Sequence, residues 1–592
     1  MIIKGKHHSE GIMDSRKIYD FWMQSDYFDA ATKKELAQIK DDPGEIEERF
    51  YRDLEFGTGG LRGVIGAGTN RINIYTVRKA SQGLANYLIK NIKDAQKRGI
   101  AIAYDCRRMS PEFAAEAAGV FAASGIVTYL FDELRPTPEL SFAVRHLNAA
   151  AGIVVTASHN PKQYNGYKVY GEDGGQLPLE GSEAVLNEIE AITDITTIKP
   201  MEQNEAIEKG LIIKIGSEID DAYINCLKTL VVNPQTVARA ADDMKIVYTP
   251  LHGSGNKPVR RILKEIGFKN VLVVPEQELP DSEFSTVKSP NPEEKDAFKL
   301  AIELAKKEGV DLIIGTDPDS DRVGVVVKSS SGEYMVLTGN QTGCLLMEYI
   351  LSQKRAAGTL PANGFVVKTI VTSELSRKIA ENYNIKLIEV LTGFKFIGEK
   401  IKELDETGRM KYLFGFEESY GYLAGTFARD KDAVVASMLI GEMAAYYKNR
   451  GMSLYEGLQE IFEKYGYFIE GITSFTLEGK EGVEKIAAAM EALRMRKMSA
   501  GFGDCELAAV RDYQKKEIVR FPAGTKEVLD LPESNVLYYE LADGSWFCIR
   551  PSGTEPKIKI YCGVSEASQQ KAQQKLDKIR ESIIGEIKKL RY

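Results

Sequence analysis

The sequence predicts an α/β protein of four domains: three consecutive α/β units with mixed or largely parallel sheets, then a C-terminal α+β domain. Three observations predict it. The 592-residue chain is long enough for about four ordinary domains, and its 43% hydrophobic content is enough for separate cores. Short β-branched runs alternate with helical stretches through most of the chain, the pattern of parallel sheets covered on both faces. Beyond about Gly466 several short strands lie between a helical stretch at 481–497 and a charged one from 565 onward. The expected divisions are 1–240, 241–338, 339–465 and 466–592.

Composition narrows the function. A net charge of -8 argues against nucleic-acid and membrane-surface partners, which require a broad excess of Lys and Arg. The six cysteines are dispersed without a CxxC pair, which fits a reducing compartment and offers no zinc site. The opening MIIKGKHHSEGIMDSRK has no apolar run of signal-peptide length, and no stretch is long enough to span a bilayer, so a cytoplasmic protein is expected. His7 and His8 read as a polar end rather than a metal tract.

Residues 17–52 are helical and charged, and they end at FGTGGLRGVIGAG (56–68). Its glycines let the backbone approach a ligand closely, and Arg62 places a fixed positive charge among them. The same residues fit a plain glycine-rich hairpin, and the GxGxxG spacing of a nucleotide fingerprint is missing. IAIAYD (100–105) reads as a strand, 111–125 as a helix and 126–131 as a strand. Next comes VVTASHNPKQYNGYKVY (154–170), where a buried strand passes into a polar loop at Ser158. Open α/β sheets keep their sites at such strand ends. His159 is adjacent, and the Asn165-Gly166 turn allows Lys168 to fold back toward the hydroxyl. A hydroxyl near imidazole and ammonium suits a nucleophile for an anionic group, although a solvated polar turn would look the same. Residues 171–240 read as helical and loop material.

The second unit opens at KIVYTPLHGSG, with helices near 258–266 and 293–308, and leads to DLIIGTDPDSDRVGVVV. Asp317, Asp319 and Asp321 alternate directly after a strand, and carboxylates this close would repel unless they shared a cation. An EF-hand is excluded, because Arg322 and Lys328 stand where that loop needs glycine and glutamate. His252 reads as a group tying down its turn. The third unit carries LTGFKF, with Thr392 and Lys395, and GFEESYGYLAGTFARDKDA. Glu417 and Ser419 pair an acceptor with a donor, a combination that grips vicinal sugar hydroxyls. Arg429 and Lys431 precede a helical run whose dipole would help bind an anion. In the last domain, IRPSGTEPKIKIY sets Arg550, Ser552, Gly553 and Thr554 between two strands, as donors for a phosphate or as an ordinary turn.

Taken together, in this order and spacing, these loops resemble those of the α-D-phosphohexomutase superfamily over nearly the whole chain, and most closely its phosphoglucomutase-2/phosphopentomutase branch. TASHNP is similar to the family's phosphoserine loop, which makes Ser158 the phosphoryl carrier. DPDSDR is similar to its DGDGDR metal loop, with Pro318 and Ser320 in place of two glycines. GFEESYGY looks like the glucose-type sugar loop, and RPSGT like the phosphate loop. The resemblance implies four domains around a central cleft, with Mg2+ held by Ser158, Asp317, Asp319 and Asp321. It also implies a phosphosugar partner contacted by Arg322, Thr392, Lys395, Glu417, Ser419, Lys431, Arg550, Ser552, Gly553 and Thr554, and leaves monomer or homodimer open.

The implied reaction interconverts sugar 1- and 6-phosphates through glucose 1,6-bisphosphate, which is both intermediate and activator. Arg62 and His159 would stabilise the transferring group, and Lys168 or His159 would move the hydroxyl proton. Pentose or mannose phosphates are alternative substrates. A metal-dependent phosphatase and a non-catalytic phosphosugar-binding protein are the rival classes. The first has no use for separate sugar and phosphate loops, and the second has little need of Ser158 together with three aspartates and Arg322.

Overall fold

The computed structural model describes residues 11–57, 59–310, 312–476, 480–495, 501–502, 504–551 and 557–589. It divides into two compact units, one of Met1–Leu337, Gly398–Thr407 and Tyr420–Gly451, the other of Thr338–Ile397, Gly408–Ser419 and Met452–Tyr592. Ser552, Gly553 and Thr554, expected to bind phosphate, lie outside the described residues.

The first unit begins with helices Gly11–Gln24, Ala30–Ala37 and Pro43–Phe50. Asp29 and Asp42 cap the second and third by accepting the Thr32 and Glu45 N–H groups. Their apolar faces meet in an aromatic cluster in which Trp22 stacks on Phe28 at 4.2 Å and both pack against Tyr75.

A seven-stranded sheet follows: β1 (Phe56–Gly57), β2 (Gly60–Val64), β3 (Ile100–Tyr104), β4 (Thr128–Phe131), β5 (Ala151–Val155), β6 (Tyr164–Gly171) and β7 (Ile212–Ile215), in the order β1-β2-β6-β5-β3-β4-β7. β5, β3, β4 and β7 run parallel, whereas β6 returns antiparallel between β5 and β2. β7 is a short strand within 171–240, a stretch expected to be mostly helix and loop. Its four residues bury only Ile212 and Ile215, too short and irregular a pattern to show a period of two. The glycine-rich stretch is a hairpin, β1 with β2, and Gly60 is indispensable to it: a Cβ there would stand 2.0 Å from the Tyr167 carbonyl oxygen.

The second sheet contains β8 (Lys245–Thr249), β9 (Asn270–Val273), β10 (Leu312–Thr316), β11 (Val323–Lys328) and β12 (Tyr334–Val336), ordered β12-β11-β10-β8-β9. β10 pairs parallel to β8 and antiparallel to β11, so the aspartate-rich segment is the turn of a hairpin whose strands are almost wholly buried. The helix expected over 293–308 starts later, as a 3-10 turn at Lys295–Phe298 followed by Lys299–Glu308.

In the second unit β13 (Gly364–Thr369) lies between β14 (Lys386–Val390) and β15 (Lys411–Glu417), parallel to both. The C-terminal residues form an antiparallel sheet from Tyr467–Thr476 through Lys557–Glu566, Trp546–Pro551, Leu537–Leu541 and Cys505–Asp512 to the Glu517–Val528 hairpin. Helices Lys480–Met495 and Gln569–Lys589 share one core with this sheet through Met490, Leu493, Phe547, Leu576 and Ile583.

Candidate active site

Ser158 stands three residues beyond β5, with φ at +51°, in the left-handed region that a non-glycine residue occupies at a cost. A buried network holds it there. Its N–H donates to Thr156 Oγ1 at 2.8 Å, and the Thr156 hydroxyl donates to Asp105 Oδ2 at 2.6 Å. Arg107, wholly buried, pairs with Asp105 and donates to the carbonyls of Ser158, Asn160, Pro161 and Tyr164. Asp105, Arg107 and Thr156 were not among the expected site residues. Asp105 and Arg107 lie at the C-terminal end of β3, the parallel neighbour of β5, and that position was the available signal.

The Ser158 hydroxyl lies 2.6 Å from Asp317 Oδ2 and 3.1 Å from His159 Nδ1. Asp317 Oδ1 accepts the N–H groups of Asp321 and Arg322, which folds the hairpin turn back on itself. Ser320, at a glycine position of the DGDGDR pattern, keeps the left-handed backbone that a glycine would adopt freely, with φ at +52°. Gly253 allows the neighbouring loop to touch this turn, since a Cβ there would stand 2.5 Å from the Pro318 Cα.

All three aspartates are at most 1% exposed. Lys168 reaches Asp319 at 2.8 Å and Asp321 at 3.2 Å rather than the Ser158 hydroxyl, and Lys431 reaches Asp321 at 2.8 Å. Thr137, missed in the sequence, donates its hydroxyl to Asp319 Oδ2 and its N–H to the Asp319 carbonyl, both at 2.8 Å. Burial, then the like charges of Asp319 and Asp321, holds the Asp317 carboxyl well above its ordinary value. Burial also pushes Asp319 and Asp321 upward, but Lys168 for both, with Lys431 for Asp321, outweighs it and holds them low. Burial depresses the Lys168 ammonium, and the two aspartates more than restore it, so it stays protonated. His159 is shifted well below the ordinary imidazole value, first by burial and then by Arg322 and Arg62, and is neutral at pH 7.

Asp319 Oδ1 and Asp321 Oδ1 are buried and make no hydrogen bond among the described residues. One oxygen from each of the three aspartates falls within 4.8 Å of the others. Three clustered carboxylates, two of which keep a buried oxygen without a hydrogen bond, fit a divalent cation of the magnesium type. Arg62, on β2, donates to Asn160 Oδ1 at 3.3 Å, and Arg322 pairs with Glu293. The first unit thus brings together Ser158, His159, Lys168, Arg62, Arg322, Lys431 and the three aspartates.

The helix dipole expected to serve an anion near Arg429 is already occupied. Asp432 caps helix Ala433–Asn449 by accepting the Val434 and Val435 N–H groups at 2.7 and 2.9 Å, and Arg429 turns to Glu406 at 2.7 Å. His252 ties down its turn as expected, bonding the Leu279 carbonyl and the Thr286 hydroxyl.

The second unit brings Arg550 onto the Thr392 hydroxyl. Lys395, in the first turn of helix Phe394–Leu404, lies over the Phe396 ring at 5.2 Å. Glu417 ends β15 and Ser419 follows two residues on, while the intervening Glu418 is held by Thr369 at 3.1 Å.

Comparison with known proteins fits this geometry. Family models for phosphoglucomutase/phosphomannomutase match all four domains: α/β/α domain I over 53–196, domain II over 221–332, domain III over 338–465 and the C-terminal domain over 483–582. A phosphoglucomutase of Staphylococcus haemolyticus is 40% identical over 525 residues, covering 88% of this chain and 92% of that protein. Two solved structures share the fold with a TM-score of 0.65: a putative phosphomannomutase of Thermus thermophilus and the phosphoglucomutase parafusin of Paramecium in its open form. They are 23% and 17% identical, cover 90% and 91% of this chain, and are themselves covered to 100% and 95%. Fold and sequence define a phosphosugar-mutase type of enzyme. The chain belongs to the phosphoglucomutase/phosphomannomutase family.

Proposed function

We propose that this enzyme interconverts glucose 1-phosphate and glucose 6-phosphate through a phosphorylated Ser158 and glucose 1,6-bisphosphate. The observation that carries the reading is the buried Ser158 hydroxyl 2.6 Å from one of three clustered carboxylates, in a chain 40% identical to a phosphoglucomutase. Phospho-Ser158 gives its phosphoryl group to the free sugar hydroxyl, the P–O bond to Ser158 breaking as the bond to sugar forms. The bisphosphate then turns, and its other phosphoryl group returns to Ser158.

His159 is the better acceptor of the hydroxyl proton, because it is neutral whereas Lys168 is kept protonated by its aspartates. Lys168, Arg62 and Arg322 offer positive charge to the oxygens of the group in transfer. Asp317, Asp319, Asp321 and a phosphoserine oxygen would hold Mg2+, which neutralises charge on those oxygens when bound. Phosphate-monoester cleavage is so slow unaided that these contacts must supply on the order of 20 kcal/mol together. Lys431 would contact the phosphosugar, Glu417 and Ser419 would take sugar hydroxyls, and Thr392, Lys395 and Arg550 the phosphate that is not being transferred. Six free cysteines support work in a reducing cytoplasm.

A coupled assay on glucose 1-phosphate, mannose 1-phosphate and ribose 1-phosphate tests the substrate, with the glucose compound expected to react fastest. Peptide mass spectrometry should find phosphate on Ser158 in part of the purified protein, and Ser158→Ala should abolish turnover. Full activity in that variant, or stoichiometric release of inorganic phosphate, would sink the reading.

A further inference from the structure

Residues 279–294 join helix Pro275–Glu278 to the turn at Lys295–Phe298 with no helix or strand of their own. Structureless loops beyond about 12–15 residues are uncommon in compact domains and are usually functional. This loop leaves the second sheet after β9, yet it touches the Ser158 loop of the first sheet, or the Arg107 that supports it, at three points. Phe284, 2% exposed, has its ring centroid 5.0 Å from the Arg107 guanidinium carbon. Ser289 donates its hydroxyl to the His159 carbonyl at 3.1 Å. Lys162 reaches Glu283 at 2.9 Å, an exposed pair that contributes little. Farther along, Glu293 pairs with Arg322, which follows the last aspartate of the metal turn.

Phe284 stands at φ +46°, in the left-handed region that a bulky residue occupies only where its surroundings impose it. Asp281 imposes it from one side by accepting the N–H groups of Glu283 and Ser285 at 2.9 and 2.8 Å. His252 holds the other side: it bonds the Leu279 carbonyl and the Thr286 hydroxyl, and its ring packs 6.4 Å from the Phe284 ring. The strained backbone sets an aromatic face against a buried guanidinium, where exclusion of water makes the attraction strongest. Arg107 in turn donates to the carbonyls of Ser158, Asn160, Pro161 and Tyr164. A guanidinium is a rigid planar fork, so its tilt is passed to every carbonyl it holds.

We propose that Phe284 is a positioning residue for phosphoryl transfer: it fixes the plane of the Arg107 guanidinium and thereby the course of the loop that presents Ser158 to Asp317, while Ser289 steadies the adjoining His159. The proposal rests on the reading of Ser158 as the phosphoryl carrier. A misplacement of about 1 Å at a reacting atom is enough to lower a rate by roughly 10²-fold.

Phe284→Leu keeps an apolar side chain and removes the aromatic face. Its kcat on glucose 1-phosphate should fall by about 10- to 30-fold, the range to which a desolvated cation–π contact corresponds. Affinity for glucose 1-phosphate, read by calorimetry with the metal chelated so that nothing turns over, should stay within about twofold. Phe284→Tyr restores the face and should recover most of kcat. Hydrogen exchange on the unliganded full chain gives a reading that needs no turnover. The N–H groups of Asn160 and Tyr164, bonded to the Ala157 and Pro161 carbonyls, should exchange about tenfold faster in Phe284→Leu and at the native rate in Phe284→Tyr, with strand Leu312–Thr316 unaltered in both. If Phe284→Leu does not fold, Ser289→Ala decides: it deletes one part-buried hydroxyl bond, and should lower kcat about threefold and speed exchange at Asn160. Native exchange at Asn160 and Tyr164 in folded Phe284→Leu, a loss of kcat that Phe284→Tyr does not recover, a loss of glucose 1-phosphate affinity as large as the loss of kcat, or a Ser289→Ala protein unchanged in both measurements overturns the proposal. A native chain that leaves glucose phosphates unconverted sinks the functional reading instead, and the exchange rates still decide whether Phe284 orders the Ser158 loop.

Discussion

The aspartate turn of the first unit and the Lys368 cluster of the second both bury several charges, and they are resolved in opposite ways. Lys368, fully buried, donates to Glu374 at 2.7 Å, pairs with Glu389 at 2.9 Å and donates to the Thr372 carbonyl at 3.1 Å. Arg377 takes Glu374 and Glu389 at 2.7 Å each, and Arg511 approaches the other Glu389 oxygen at 3.5 Å. Every oxygen of those two carboxylates faces a cation. In the aspartate turn Asp319 Oδ1 and Asp321 Oδ1 make no hydrogen bond among the described residues, and Arg322 stands off Asp321 Oδ1 at 3.9 Å. Buried charge that is fully matched holds a fold together, whereas buried charge that is left incomplete is a demand for a ligand.

The largest test of this contrast is on the matched side. Lys368→Met leaves two carboxylates without their central cation, and stability measured by urea denaturation should fall by about 3–5 kcal/mol. The pH dependence should move with it. Burial raises the Glu389 carboxyl, but Lys368 and Arg377 outweigh it and hold it at about 2, below its ordinary value. A carboxyl depressed in the folded state stabilises fully above its ordinary pKa, and that contribution is lost as pH falls through about 2. Without Lys368 the loss should begin at higher pH, seen as an acid-unfolding midpoint shifted upward.

On the incomplete side the expected cost is more in rate than in stability. Asp319→Asn should lower turnover at saturating Mg2+ by roughly 10²-fold or more, as removal of one strong electrostatic contact does. Its melting temperature should fall modestly, because Lys168 loses its partner at 2.8 Å while repulsion from the other two carboxylates is relieved. A large loss of stability with turnover unchanged would make the turn another structural cluster and erase the contrast.

Smaller effects sharpen it. Thr137→Val removes a hydroxyl bonded to a charged carboxylate, worth about 1.5 kcal/mol, so Mg2+ affinity by calorimetry should weaken by roughly tenfold. Ser320→Gly should change stability least. It relieves about 1–2 kcal/mol of left-handed strain at φ +52°, of which the added freedom of glycine in the unfolded chain takes back about 0.5–1 kcal/mol. Thermal melting should show a gain of about 0–1.5 kcal/mol, as expected if serine in place of glycine costs the turn little.

The sequence by itself determined the four-domain α/β plan, the serine at the end of β5 and the three aspartates after β10. Each of these is local: apolar runs fix the strands, and turn residues fix where they end, so a polar group at a strand end is visible without knowing its neighbours. Only the tertiary structure decided which charges are spent. Lys168 could be placed on a strand, but its choice of Asp319 and Asp321 over the Ser158 hydroxyl depends on segments about 150 residues apart in sequence. Arg429 read as a cation before a helix, and packing made it an ion pair with Glu406 and gave the helix start to Asp432. Thr137 carries no local signature at all, and Asp105 and Arg107 carry only their place at the end of β3. Each becomes part of the site because a buried polar group must find a partner, and the fold alone brings that partner within reach.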